Sequence, residues 1–270
     1  MTNAVRTAAT KRPAMDSMRK TALVAGALYL LTFIAIGTLT LYIPVLKDPA
    51  YILSSGGDAG LRWGALIEVI VALAGIGTAI TLYPVVRRQN EAFALGFVTS
   101  RVIEGAMILT GVVSLLSLAS LHQVGAAAGA DSTALLTSGA SYVGTYNAAF
   151  LIGQTLMPAT NAVLLGFLMY RSRLVPRIIP TLGLIGGPLM ISSVIGQIIG
   201  INEQISVWSV IALLPIFVWE LSLGLWLVFK GFKASAPLMI AAAAARPDSP
   251  DGPATTLPSR TVVTAKAGAA

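Results

Sequence analysis

The chain has 270 residues, 56% of them hydrophobic and only 11% charged, with a mean hydropathy of +0.81. A soluble domain carries roughly 25% charged residues, so this composition excludes an ordinary soluble domain and points to membrane helices. The formal net charge of +7 sits at the chain ends and between the apolar runs, which argues for topology and anionic headgroups and against a nucleic-acid surface.

A span needs about 20 mostly apolar residues, and the stretches that reach this length divide the chain into six predicted helices. Residues 1–20 form a basic N-terminal tail with Arg6, Lys11, Arg12, Arg19 and Lys20. The first span is Thr21–Ile43; it is too long for the core of a cleavable signal and is expected to be retained. The second, Trp63–Val86, carries Glu68. The third, Phe93–Leu121, carries Arg101 and Glu104, three residues apart and so on one helix face. The uncharged run that follows Asp131 is too long for one span and too short for two. Its Ser-, Thr- and Gly-rich start, "STALLTSGASYVG", reads as an outer loop or interfacial segment, leaving Asn147–Tyr170 as the fourth span. There the seven-residue spacing of Asn147, Gln154 and Asn161 predicts a shared face. The fifth, Ile178–Ile201, has Gly183 and Gly187 four apart, and Gly196 and Gly200 likewise, which suits close helix packing. Gly186-Gly187-Pro188 also predicts a bend or break, the alternative being a broken helix that lines a site. The sixth, Ser206–Phe229, carries Glu220. Residues 21–232 thus form one six-helix membrane domain, and 233–270 read as a disordered C-terminal tail rich in Pro, Ala, Ser and Thr. The fold class is all-α and polytopic, because lipid leaves helices as the available solution where no period-two alternation exists.

Fifteen of the 18 basic residues fall on one side of this arrangement, two (Lys47 and Arg62) on the other, and Arg101 within a span. That asymmetry predicts cytoplasmic N- and C-termini and a multi-pass protein of the cell (inner) membrane.

Cysteine is absent and His122 is the single histidine. Disulfides, thiolate metal sites and cysteine nucleophiles are excluded, and neither a transition-metal set nor a histidine-based triad is expected. No cofactor motif appears; "GLIGGP" lacks the Gly-Lys-Ser/Thr ending of a phosphate loop.

The candidate site is therefore the set of polar residues inside the spans. An ion at a helix centre costs about 2.5–3.5 kcal/mol on insertion scales, so such residues face the bundle interior by default. From a rise of about 1.5 Å per residue, Arg101, Glu104, Glu220 and Asn161 fall in one layer roughly 12–16 Å from the terminal side. Glu68, Gln154 and Gln197 fall in a second layer at about 24–28 Å. Arg101 is expected to pair with Glu104 in its own helix and with Glu220 across the bundle. Such a cluster either fixes helix register or serves as a binding or proton-handling site. Glu68 has other options: it could reach the headgroups or pair with Arg62.

"RKTALVAGALYLLTFIAIG", "LRWGALIEVIVAL", "SRVIEGAMIL", "LLGFLMYRSRLVPRIIPTLGLIGG" and "WELSLGLWLVFKGF" resemble the bacterial membrane-protein family known as domain of unknown function 4386. The resemblance runs from about Met18 to Phe232. It implies the polytopic fold and draws attention to Glu68, Arg101, Glu104 and Glu220, and it implies no activity. Two functions compete. One is binding or transport of a small molecule, proton or cation through the polar cluster. The other is a structural or regulatory protein that packs on a membrane partner or a second copy through the glycine-rich fifth helix. An intramembrane enzyme is the weakest reading, since no catalytic constellation is present beyond paired carboxylates.

Overall fold

The structure, a computed structural model, describes residues 17–128 and 131–244. Among them there is no strand, and six helical stretches are long and apolar enough to cross a membrane. The helices are α1 (Ser17–Thr32), α2 (Ala35–Lys47), α3 (Ala59–Val86), α4 (Glu91–Ala128), α5 (Ser132–Phe150), α6 (Met157–Ser172), α7 (Ile178–Ile198), α8 (Val207–Phe229) and α9 (Pro237–Ala244). A π-helical turn, Leu151–Leu156, joins α5 to α6.

The spans close a ring. α1 packs on α3, α3 on α4, α4 on α6, α6 on α7, α7 on α8, and α8 back on α1. The outward faces are as apolar as the interior: Leu73, Val113 and Leu214 are 60%, 63% and 58% exposed. In water that would be untenable at this scale; against lipid it is what a spanning helix presents. At the end of the bundle that holds the start of α1 and the end of α8, the terminal end, a large core gathers Leu82, Phe97, Leu165, Met169, Trp219 and Leu223. A second core at the far end gathers Tyr42, Ile52, Leu61, Leu115, Leu118 and Tyr146. Between them, among the described residues, lies a thin layer with Val71, Ala72 and Ile108 buried and Ala35, Ile67 and Leu109 packed against them.

Two irregularities in the spans shape the site. The first span breaks at Phe33 and Ile34. Their N–H groups turn to Leu30 and Leu31, three residues back, and the Thr32 hydroxyl donates to the Tyr29 carbonyl at 2.7 Å. The second is the π turn. Pro158 has no N–H to give the Gln154 carbonyl, and its ring would collide with that carbonyl in a straight helix; the wider turn relieves both.

Several expectations are corrected. The stretch read as an outer loop or interfacial segment, from Ser132, is helical and continuous with the fourth span. Its N-terminus is capped by Asp131, whose side chain accepts from the Thr133 N–H at 3.1 Å. α7 runs through Gly186-Gly187-Pro188 without a break. The glycines there serve packing: a Cβ on Gly183 would lie 2.9 Å from the Trp219 ring, and one on Gly187 2.9 Å from the Ala159 carbonyl oxygen. Order also extends past residue 233. The Lys233 N–H donates to the Leu174 carbonyl at 2.8 Å, and α9 sets Leu238 and Met239 against the core. Residues 1–16 and 245–270 of the expected tails lie outside the described residues.

Candidate functional site

Arg101 is 2% exposed and sits on α4 between the two cores. Its Nη1 donates to both carboxylate oxygens of Glu104, at 3.0 and 3.1 Å. Its Nη2 donates to the Tyr29 hydroxyl at 2.7 Å and to Glu220 Oε1 at 3.2 Å. The guanidinium also lies over the Tyr29 and Phe97 rings, 5.0 and 5.8 Å from their centroids. Asn161, on α6, donates its side-chain amide to Glu104 Oε2. The expected layer of Arg101, Glu104, Glu220 and Asn161 is thus one bonded cluster drawn from α4, α6 and α8. Tyr29 of α1 joins it. Sequence gave no sign of that residue, since a tyrosine in an apolar run reads as core or interface.

One guanidinium faces two carboxylates. Arginine stays charged in proteins, so the cluster carries either an excess negative charge or a bound positive one. The two acids are not equivalent. Glu104 is held at both oxygens; among the described residues Glu220 accepts at Oε1 alone, and its side chain is the more exposed, 18% against 11%. Arg101 Nε and Asn161 Oδ1, both buried, have no hydrogen-bond partner among the described residues.

These charges form the floor of a cavity of about 180 Å³. Thr32, Phe33, Ala35 and Ile36 at the break of the first span, Gln154 of the π turn, and Pro158 line it together with Leu213 and Phe217 of α8. The rim is apolar and partly exposed, with Ile36 55%, Leu213 50% and Phe217 38% accessible. Phe33 and Phe217 meet edge to face at 5.4 Å across it. The opening follows from the break: α1 packs on α8, whereas α2, beyond the break, packs on α3.

The second expected layer divides. Glu68 is 1% exposed and accepts from Gln154 Nε2 at 3.2 Å, so it reaches neither headgroups nor Arg62. Gln197 is elsewhere, donating to Ser193 and Ser209 at 3.4 Å beside Asn202. Asn147 is exposed, apart from Gln154 and Asn161, because the π turn changes the helical phase between them.

At the far end a group that sequence did not foresee comes together. His122 Nδ1 lies 2.9 Å from Asp58 Oδ1, and its Nε2 lies 2.7 Å from the Ser54 carbonyl oxygen and 3.5 Å from the Ser54 hydroxyl. The residue types are those of a hydrolytic triad. The geometry is not: Nε2 faces a carbonyl, which only accepts, so that nitrogen donates and is unavailable as a base. Tyr51 and Gln123 also donate to Asp58, at 2.9 and 3.2 Å. Burial works to raise the Asp58 pKa, but the hydrogen bonds from His122, Tyr51 and Gln123 outweigh it and hold the carboxyl below its ordinary value. The group is a clasp between the α2–α3 connection and the end of α4.

The family model described as domain of unknown function (DUF4386) matches residues 24–231. The chain belongs to the DUF4386 family. The match takes in the second half of α1 and everything from α2 to α8, so every residue of the cluster and the cavity lies within the DUF4386 domain, and α9 lies outside it. No curated protein and no solved structure matches the chain.

Proposed function

We propose that this DUF4386 protein binds and carries a small, positively charged molecule in the cavity, with Glu220 as its counter-charge. The observation that carries this reading is the single-sided use of Glu220 at the base of an apolar-rimmed cavity. Drug-sized pockets run about 300–1,000 Å³, so a space of 180 Å³ suits a small cationic head whose apolar part rests against Phe33, Ile36 and Phe217. Entry runs between α2 and α8, from the lipid side. The chain lies in the cell membrane with both termini cytoplasmic, as the basic asymmetry favours. Reporter fusions after Arg88 and Arg171 then read cytoplasmic, and fusions near Gly57 read external. The competing role, docking on a partner through the glycine-rich fifth span, is the less favoured reading: Gly183, Gly186 and Gly187 face α8 and α6 of the same chain and Gly196 faces Asn202 and Trp208, which leaves Gly200 as the open one of these glycines.

The test is thermal stability of the purified protein with hexylammonium against hexanol, at constant ionic strength and pH. The ammonium raises Tm in the parent and not in Glu220→Gln, and the alcohol does neither. Equal effects of cation and alcohol, or an undiminished response in Glu220→Gln, overturn the reading.

A further inference from the structure

Glu68 lies three residues before Val71, and hence about one turn nearer the far end than the cavity that Val71 lines. Its Oε1 accepts from Gln154; its Oε2 is buried and has no hydrogen-bond partner among the described residues. Tyr42 of α2 and Tyr146 of α5 direct their hydroxyls at Glu68, and neither hydroxyl makes a well-formed hydrogen bond. Both tyrosines are buried, 0% and 2% exposed. Their rings are fixed edge to face at 5.6 Å, and Gly64, one turn before Glu68 on the same face of α3, leaves the room that the Tyr42 ring fills. The Thr38 hydroxyl is also beside Glu68, though it donates to the Ala35 carbonyl at 2.7 Å. Among the described residues no basic side chain pairs with Glu68.

Glu68 is thus a buried carboxylate flanked by phenol hydroxyls from two other helices and, among the described residues, by no cation. The phenols can donate to it but cannot cancel its charge, so the place calls for a compensating cation. Water would supply hydrogen bonds and leave the carboxylate's charge uncompensated in a low-dielectric setting. A cation of one charge compensates it, and carboxylate and phenol oxygens suit a hard one, with Gln154, which turns its amide nitrogen to Glu68, holding the carboxylate in place.

We infer that Glu68, with Tyr42, Tyr146 and Gln154, forms a monovalent-cation site that takes a proton or a sodium ion. Gln154 belongs to the site and to the cavity at once: it donates to Glu68 and lines the space above Glu220. The cation site stands on its own geometry; its coupling to the cavity through Gln154 rests on the ligand reading proposed above. The titratable or charged groups that face Glu68 are Tyr42 from α2 and Tyr146 from α5, and the Arg101–Glu104 pair of α4 and Glu220 of α8 lie across Gln154.

The experiment is Tm of the full purified chain in two series: sodium replacing potassium at constant ionic strength, and pH at fixed salt. A bound sodium ion raises Tm by about 3–5 °C per tenfold increase above its dissociation constant. That slope is absent in Glu68→Gln and displaced at least about tenfold in concentration in Tyr42→Phe or Tyr146→Phe. A proton instead gives a pH-dependent Tm that is insensitive to sodium and loses its Glu68 component in Glu68→Gln. In that case the infrared protonated-carboxyl band assigned to Glu68 disappears in the same variant. If Glu68→Gln does not fold, the two Tyr→Phe variants carry the test. Responses unchanged in all three variants, or a parent that responds to neither series, overturn the site. The hexylammonium response persists in Glu68→Gln, so failure here is separable from failure of the cavity reading. Gln154→Ala weakens the Glu68-dependent response and removes its dependence on hexylammonium; persistence of that dependence overturns the coupling.

Discussion

Replacing Arg101 with alanine removes four hydrogen bonds at once: two to Glu104, one to Glu220 and one to Tyr29. It also leaves two carboxylates facing each other in a site where the arginine is 2% exposed. Removing one partner of a buried pair costs about 3–5 kcal/mol, because the abandoned charge is the larger part of the penalty. The structure orders the two acids. Glu104 takes a bidentate grip and Glu220 a single bond at 3.2 Å. Glu104→Gln should therefore rescue Arg101→Ala more than Glu220→Gln does. The expected coupling is at least about 1 kcal/mol with Glu220 and larger with Glu104, against an additivity error of about 0.3–0.5. Reversible unfolding of the purified protein in mixed micelles measures all three single mutants and both doubles. Additive effects, or a stronger coupling to Glu220 than to Glu104, would refute the ranking drawn from these bonds.

Other expectations follow from contacts elsewhere in the bundle. Gly187→Ala places a methyl 2.9 Å from the Ala159 carbonyl oxygen and should cost about 1–3 kcal/mol, whereas Gly144→Ala, with open space around it, should be neutral or stabilising; the same unfolding assay compares them. Arg19 donates to the last carbonyls of α8, Leu227 at 2.8 Å and Val228 at 2.6 Å, so Arg19→Ala should lose about 1–2 kcal/mol, visible as a lower Tm. The Asp58 carboxyl is held below its ordinary value of 3.8 in the folded chain. Its contribution is therefore complete above that value and is lost as pH falls through the depressed one; Asp58→Asn should flatten this acid limb of a stability–pH profile, and an unchanged limb would show that the clasp contributes nothing.

Depth along a helix axis is legible in a hydrophobic sequence, because span ends and rise per residue fix it to within a turn. This is why Arg101, Glu104, Asn161 and Glu220 could be placed in one layer before their bonds were seen. Rotation about the axis is far less legible. Gln197 shares the estimated depth of Glu68 and yet turns to Ser193 and Ser209. Asn147 loses its common face with Gln154 to a π turn whose cause, Pro158, is visible in the sequence but whose response is not: a proline relieves its clash by a kink, a break or a wider turn, and packing chooses. Pro188 shows the other outcome, an unbroken α7 held between α6 and α8. The His122–Asp58 contact spans 64 residues and joins two elements that carry no shared pattern, so nothing local announces it.

The placement of these irregularities bears on how a ligand could pass. The core at the terminal end is built from continuous helices and from glycine contacts with no slack, as at Gly183 and Gly186. A packed interface of that kind does not deform gradually. The cavity instead borders the break at Phe33–Ile34, the π turn at Leu151–Leu156, and Pro215 of α8, whose ring leaves the Ile211 carbonyl without its helical donor. Each is a place where the backbone ladder is already interrupted, so a change of angle there breaks fewer hydrogen bonds than one within a regular helix. Between the two cores the apolar layer is thin among the described residues, with Val71, Ala72 and Ile108 buried and Ala35, Ile67 and Leu109 partly buried against them. On the ligand reading proposed above, opening of the cavity is expected to pivot at these three points, with α2 and the far part of α8 swinging against the terminal half. A disulfide between cysteines placed at Ile36 and Leu213, on opposite sides of the rim, would hold the opening fixed. It should abolish the hexylammonium response or trap the ligand, while the same cysteines reduced leave the response intact; a response indifferent to oxidation would show that the rim does not move.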